Sequence, residues 1–225
     1  MRIVVVLGSI LSGVVWATAA GAATLTVAFR GTVERVEDPL GLLANRIVPG
    51  TVFRGSYVFD QAVGDVDDDP NSGAYPVTGP LFSIAFADFR PATAEAAGEG
   101  SAIFVENTPV ADRYRVVAES ARGFAFPGND PQVLPLPLAG VVLALSDPTG
   151  TAFDSDALPA GAPDLSRFRE RLLTVASLPV PGSFQGFTIS GTIDALSVVP
   201  EPPPLPASLL ALLAGGMALF SRGRR

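Results

Sequence analysis

The chain has no cysteine and no histidine, and all 15 of its basic residues are arginine, so lysine is absent too. Without cysteine there is no disulfide framework and no thiolate nucleophile. Without histidine, cysteine or lysine, no Ser-His-Asp, Cys-His or Ser-Lys arrangement can be assembled. Zinc would find only carboxylates, a donor set poorly matched to its preference for nitrogen and sulfur. The one tryptophan is Trp16, and there are three tyrosines. Exposed aromatic platforms of the kind that hold sugars are therefore scarce. A two-carboxylate glycosidase is still chemically open, but Glu34, Glu106, Glu119 and Glu170 show no spacing that marks a pair. The composition argues against an enzyme.

What is present is concentrated first at the two ends. Arg2 is followed by an apolar run from Ile3 to Val15 and then by "ATAAGAA", with Ala20-Gly21-Ala22 as a small-residue cleavage box. Residues 1–23 read as a signal peptide, which makes the Sec translocon the first partner; an uncleaved N-terminal anchor is the alternative. The other end has three parts: Pro200, Glu201 and Pro202; an apolar segment over about 205–220; and the cluster Arg222, Arg224 and Arg225. At about 1.5 Å per residue that segment makes roughly 24 Å of helix, short of the roughly 30 Å hydrocarbon core. Pro204 and Pro206 suit only a helix start, and Gly215 and Gly216 weaken its interior. The arginines act as a membrane stop on the cytoplasmic side. A marginal membrane segment behind a stiff polar box is the logic of a removable sorting signal. An ordinary C-terminal anchor is the alternative.

The tail 199–225 resembles the PEP-CTERM sorting signal of Gram-negative bacteria, whose three parts stand here in order. The resemblance covers the tail alone. It implies recognition by an exosortase-type membrane protease, processing near Pro200 to Pro202, and transient inner-membrane anchoring. It also implies export to the cell surface or beyond, in cells that make extracellular polysaccharide. The order "YVFD", acidic turn, "GAY", "LFSIAF", and the closing "SFQGFTISGTIDALSVVPEP", are similar to the bodies of such exported proteins. That second likeness brings no active site.

Between the ends lies one exported domain, residues 24–198, long enough to build its own core. It carries eleven arginines against twenty-one acidic residues, a net charge of −10, which disfavours nucleic acid and anionic lipid as partners. Abundant glycine and proline, 23 and 21 residues, with high apolar content point to short strands and turns. Period-two alternation predicts strands over 25–36, 52–59, 81–89 and 183–198. Residues 102–106 and 112–119 read as a hairpin around 107–111, the strongly apolar 138–146 as a central strand, and 122–126 as a further strand. Residues 60–80 and 90–100 read as loops. Asp164 to Ala176 fits either a helix capped by Asp164 or a turn leading into a strand over 169–176, and the all-β context favours the strand. The fold expected is a single antiparallel β-sandwich of about 8–10 strands, flanked by the signal peptide and a C-terminal hydrophobic helix.

Three strands share a pattern: "FRGTV" at 29–33, "FRGSY" at 53–57 and "ISGTI" at 189–193. In each a glycine sits on the apolar face, leaving a gap that an aromatic ring from across the core can fill. The pattern predicts that the three strands are neighbours in one sheet. Asp65, Asp67, Asp69 and Asn71, with Asp68 and Gly73, place oxygen ligands at alternate positions, as a Ca²⁺ loop does. The run departs from the EF-hand pattern at its sixth and twelfth positions, and a solvated acidic turn is the alternative. Tyr75 is the tyrosine expected to be exposed, and so the candidate for a small glycan site. The role expected first is a surface or extracellular-matrix component without catalytic activity. A carbohydrate-binding module of the polysaccharide matrix comes second, and a secreted glycan hydrolase third.

Overall fold

Alternating apolar residues carry the chain into extended structure almost from the first described position. The computed structural model describes residues 24–77, 79–86, 92–96, 101–119, 138–179, 182–183 and 185–200. These described residues form ten strands: β1 (Thr24–Glu37), β2 (Val52–Asp60), β3 (Ser72–Pro76), β4 (Gly79–Phe86), β5 (Ala92–Ala96), β6 (Ala102–Thr108), β7 (Ala111–Glu119), β8 (Leu138–Asp147), β9 (Glu170–Ser177) and β10 (Thr188–Val198). The described residues hold no α-helix, only a 3-10 turn, Leu165–Arg167. Asp164 caps that turn through a bond from the Ser166 amide, 3.0 Å, and β9 follows. Both halves of the ambiguous 164–176 stretch are thus used, with the strand as its main element.

All ten strands join in one antiparallel sheet, in the order β3-β6-β7-β8-β9-β10-β1-β2-β4-β5. The connections show that this sheet is curled. β3 and β4 stand eight strand spacings apart, about 38 Å if the sheet were flat. Yet Pro76 ends β3 and Gly79 begins β4, a link that reaches at most about 11 Å. The sheet must bend until its two ends meet. The hydroxyls of Tyr57 on β2 and Tyr114 on β7 accordingly lie 3.2 Å apart, and β5 comes back against β7.

Curling buries one face of every long strand. Val27, Phe29 and Val33 of β1, Phe53, Tyr57 and Phe59 of β2, Phe82, Ile84 and Phe86 of β4, and Val141, Leu143 and Leu145 of β8 all face the core. A run of touching rings crosses it: Phe86, Phe53, Phe29, Phe82, Tyr57, Tyr114, Phe153 and Phe168, with neighbouring centroids between 5.4 and 6.4 Å. Each contact is tilted or edge-on, the geometry that ring quadrupoles prefer. Burial holds the two facing hydroxyls protonated, because neither phenolate could be solvated there: Tyr57 is raised well above its ordinary value and Tyr114 is raised as well.

The three glycine strands are neighbours, as their pattern predicts: β10, β1 and β2 lie side by side. Their rings come from the adjacent strand rather than from across the core. Phe29 is the cross-strand partner of Gly55, and Gly31 is the partner of Phe53. A Cβ on Gly31 would overlap both the Phe53 ring and the Thr192 carbonyl; one on Gly55 would overlap the Phe29 ring. Each glycine is the recess in which its neighbour's ring lies down.

Three expectations need correction. The stretch 60–80 contains β3, and 90–100 contains β5, both short and poor in large apolar residues. In β10, Ala195 is exposed where strict alternation would bury it. A bulge at Asp194 shifts the register there, and Leu196 packs inward instead. The strand expected over 122–126 lies outside the described residues, as do the segments 1–23 and 201–225, where a signal peptide and a hydrophobic helix were expected. Among the described residues no helix is long and apolar enough to cross a membrane.

Candidate functional site

The acidic run between β2 and β3 is built from consecutive side-chain turns. Asp65 Oδ1 accepts from the amide of Asp67 at 2.9 Å and of Ala74 at 2.8 Å; Asp67 Oδ1 accepts from the amide of Asp69 at 3.1 Å; Asp69 Oδ1 accepts from the amide of Asn71 at 2.9 Å. Alternate acids therefore each hold the backbone two residues on, the local competition that Asp and Asn offer in turns. Among the described residues no three acidic side chains gather as a metal-binding group. The loop's spacing serves its own amides, and a cation would have to compete with them.

Tyr75 does not offer an exposed ring. It is only 5% exposed, and its hydroxyl donates to the carbonyl of Asp156 at 3.0 Å. Burial raises its hydroxyl's pKa, and the nearby Asp65 carboxylate raises it further. The sequence placed Tyr75 in a polar turn, but the segment 148–164 folds over it. Gly73 lets that segment close: a Cβ there would come 2.6 Å from the Asp156 carbonyl. Among the described residues the large exposed apolar side chains are Leu and Val, with no aromatic among them.

The segment over Tyr75 is held by two carboxylates that sequence reasoning did not single out. Asp112 of β7 and Asp147 of β8 are cross-strand partners, and both are buried. Asp147 accepts from the amide and hydroxyl of Thr149 and from those of Thr151, at 2.7 to 3.1 Å. These bonds, led by the Thr151 amide and the Thr149 hydroxyl, lower its carboxyl from 3.8 to about 2. Asp112 accepts from the Phe153 amide at 2.8 Å. Asn107, with its amide turned as its neighbours require, donates to Asp112 at 3.2 Å and accepts from the Ser155 amide at 2.9 Å. Two adjacent buried acids would suit hydrolysis if they faced a substrate. Here their oxygens are taken by the loop's own donors, so they act as a clasp. The spacing Asp147-x-Thr149-x-Thr151 was the available sequence signal.

An open cleft of about 530 Å³ lies at the end of β1 and the start of β10, lined by Glu37, Asp38, Pro39, Gln185, Gly186 and Thr188. Its acids are also engaged. Asp38 holds the amides of Leu42 and Leu43 at 2.8 and 2.7 Å, and Glu37 pairs with Arg35.

The outer face of the sheet carries two arginine pairs of different kinds. Arg113 and Arg115 on β7 share Glu106 of β6 at 2.9 and 3.2 Å, and Arg115 lies over the Phe104 ring, 5.1 Å from its centroid. Arg30 of β1 and Arg54 of β2 stand directly opposite each other. Both are exposed, and neither belongs to the ion pairs of the described residues.

Of the residues expected to form a sorting signal, Pro200 is described and exposed just beyond β10. Glu201, Pro202, Arg222, Arg224 and Arg225 lie outside the described residues. No protein-family model matches the chain, and neither a curated protein nor a solved structure matches it significantly.

Proposed function

We propose that the chain is an exported structural protein of the cell surface or extracellular matrix, sorted and processed through its C-terminal tail. One observation carries most of the reading. β1 begins at Thr24, immediately after the signal-like segment, and β10 ends at Val198, two residues before Pro200. These two ends are neighbours: Val27 pairs with Val198, and the Val199 amide donates to the Thr26 carbonyl at 2.9 Å. The β domain therefore fills the chain between the two sorting segments and releases both from one pole. Such a domain can fold while tethered to a membrane by either end or by both. In this reading the two halves of the curled sheet serve as the two layers of a sandwich, and the partners are the Sec translocon and an exosortase-type protease.

Clasped acids and buried tyrosines favour a structural role over a hydrolytic one. The test is cell fractionation with intact-mass measurement of the wild type and Glu201→Ala. The expected wild-type product has lost both ends and leaves the inner membrane, whereas Glu201→Ala keeps its tail and stays there. Equal cleavage and release of the two would overturn the sorting reading; a wild type that keeps its tail would make the segment an ordinary anchor.

A further inference from the structure

The Arg30–Arg54 pair puts two exposed like charges directly opposite each other on the outer face of the sheet. Like charges directly opposite one another destabilise an antiparallel ladder. Elsewhere on the outer face the chain follows the rule: Arg113 stands opposite Glu106, which also pairs with Arg115. At Arg30 and Arg54 no acid is interposed among the described residues, although the body carries twenty-one acidic residues. The acids that come near are directed elsewhere. Asp194, the extra residue of the β10 bulge beside Arg30, accepts from the Thr32 hydroxyl at 3.2 Å. Glu34, the extra residue of the β1 bulge, accepts from the Thr192 hydroxyl.

The residues around the two arginines are small. Ala195 of β10 and Ala85 of β4 flank them across the strands, and Ala28 and Ser56 lie next to them along β1 and β2. Two exposed planar forks of donors thus lie beside hydroxyls and carboxylate acceptors. A guanidinium matches a carboxylate bidentately. Acceptors beside it suit hydroxyl donors on the same ligand. An open face rather than a pocket suits an extended chain. A polyanion with few hydroxyl donors would meet Asp194, Glu34 and a body of net charge −10 with nothing to offer their oxygens. A chain whose units carry hydroxyls beside each carboxylate meets complementary groups.

We propose that the β10–β1–β2–β4 face, centred on Arg30 and Arg54, binds a uronic-acid-containing polysaccharide, the guanidiniums taking its carboxylates and the flanking acceptors its hydroxyls. This deepens the matrix reading and rests on it only for where such a chain would be met. Binding in vitro does not depend on sorting, so either can fail without the other.

The test is affinity electrophoresis of the full chain in non-ionic detergent, through gels containing polygalacturonate, neutral dextran or polyglutamate. Polygalacturonate should retard the wild type, less so as salt is raised, and the other two polymers should not. The double variant Arg30→Gln/Arg54→Gln should bind polygalacturonate roughly tenfold more weakly or worse, as expected for losing two charge-assisted contacts. Its far-UV spectrum should match wild type, and its melting temperature should hold or rise as the repulsion is relieved. Arg113→Gln should bind as wild type does. The proposal is overturned if wild type passes polygalacturonate unretarded, if dextran or polyglutamate retards it equally, or if the folded double variant binds undiminished. Should the double variant not fold, the single variants Arg30→Gln and Arg54→Gln decide, each expected to weaken binding by an intermediate factor.

Discussion

At the β10–β1–β2 seam the chain has removed side chains, whereas at the β7–β8 end it has gathered polar ones. In the seam, Gly31 and Gly55 leave recesses that Phe53 and Phe29 fill, and the fit is steric. At the other end, Asp112 and Asp147 meet the amides and hydroxyls of a loop, and the fit is made of hydrogen bonds. The seam joins strands that alternation had already specified. The clasp closes an irregular segment whose backbone groups have no ladder to join. Steric recesses tolerate no added atom and do not respond to pH. Hydrogen-bonded clasps tolerate small changes of shape but depend on ionisation.

That contrast can be broken first at the seam. Gly31→Ala places a Cβ into the Phe53 ring and the Thr192 carbonyl; since backbone cannot step aside as a flexible side chain can, the expected loss is about 3 kcal/mol or more. Chemical denaturation should show it, against Gly64→Ala, where nothing lies near the added carbon and the change should stay within about 0.5 kcal/mol. A mild Gly31→Ala phenotype would mean that the rings are free to move.

Asp112→Ala comes next. It strands the Phe153 amide and one end of Asn107, with an expected loss of about 1–3 kcal/mol, read by the same denaturation. Proteolysis should then cut within 148–164 before the strands. Asp147 gives the pH arm of the comparison. Its carboxyl lies at about 2 when folded, against 3.8 ordinarily. Its contribution is therefore fully present above about pH 4 and is lost as pH falls through 2. The melting-temperature gap between wild type and Asp147→Asn should be constant near neutrality and close towards pH 2. No such convergence is expected for Gly31→Ala.

Tyr75→Phe removes one hydrogen bond to the Asp156 carbonyl and keeps the ring, so about 0.5–1.5 kcal/mol is expected. Smallest of all is the acidic loop. With its carboxylates already on its own amides, Ca²⁺ or a chelator should leave the melting temperature unchanged. A calcium-dependent rise would show that Asp65, Asp67, Asp69 and Asn71 regroup around an ion.

Strands with large residues at every second position were legible: β2, β7 and β8 follow their alternation closely, and β1 and β10 do so up to their bulges. β3 and β5 were not, because Ser72–Pro76 and Ala92–Ala96 have too few large apolar residues to show a face. The exposed Ala195 escaped because a bulge at Asp194 shifts register by one residue, which period-two reasoning cannot anticipate. Tyr75 was misread because its cover arrives from a segment some eighty residues later in the chain. The clasp was half legible: Asp147 with Thr149 and Thr151 is a local turn pattern, but nothing local pairs Asp147 with Asp112.

By itself, then, the sequence determined the class of fold and the neighbourhood of its glycine strands. Alternation and glycine–phenylalanine complementarity are local properties, written within a few residues and copied into the sheet. Only the tertiary structure decided the curl, the burial of Tyr75 and the opposition of Arg30 to Arg54. These depend on which distant segments meet, and that is set by closing one ten-stranded sheet around a single ring-filled core.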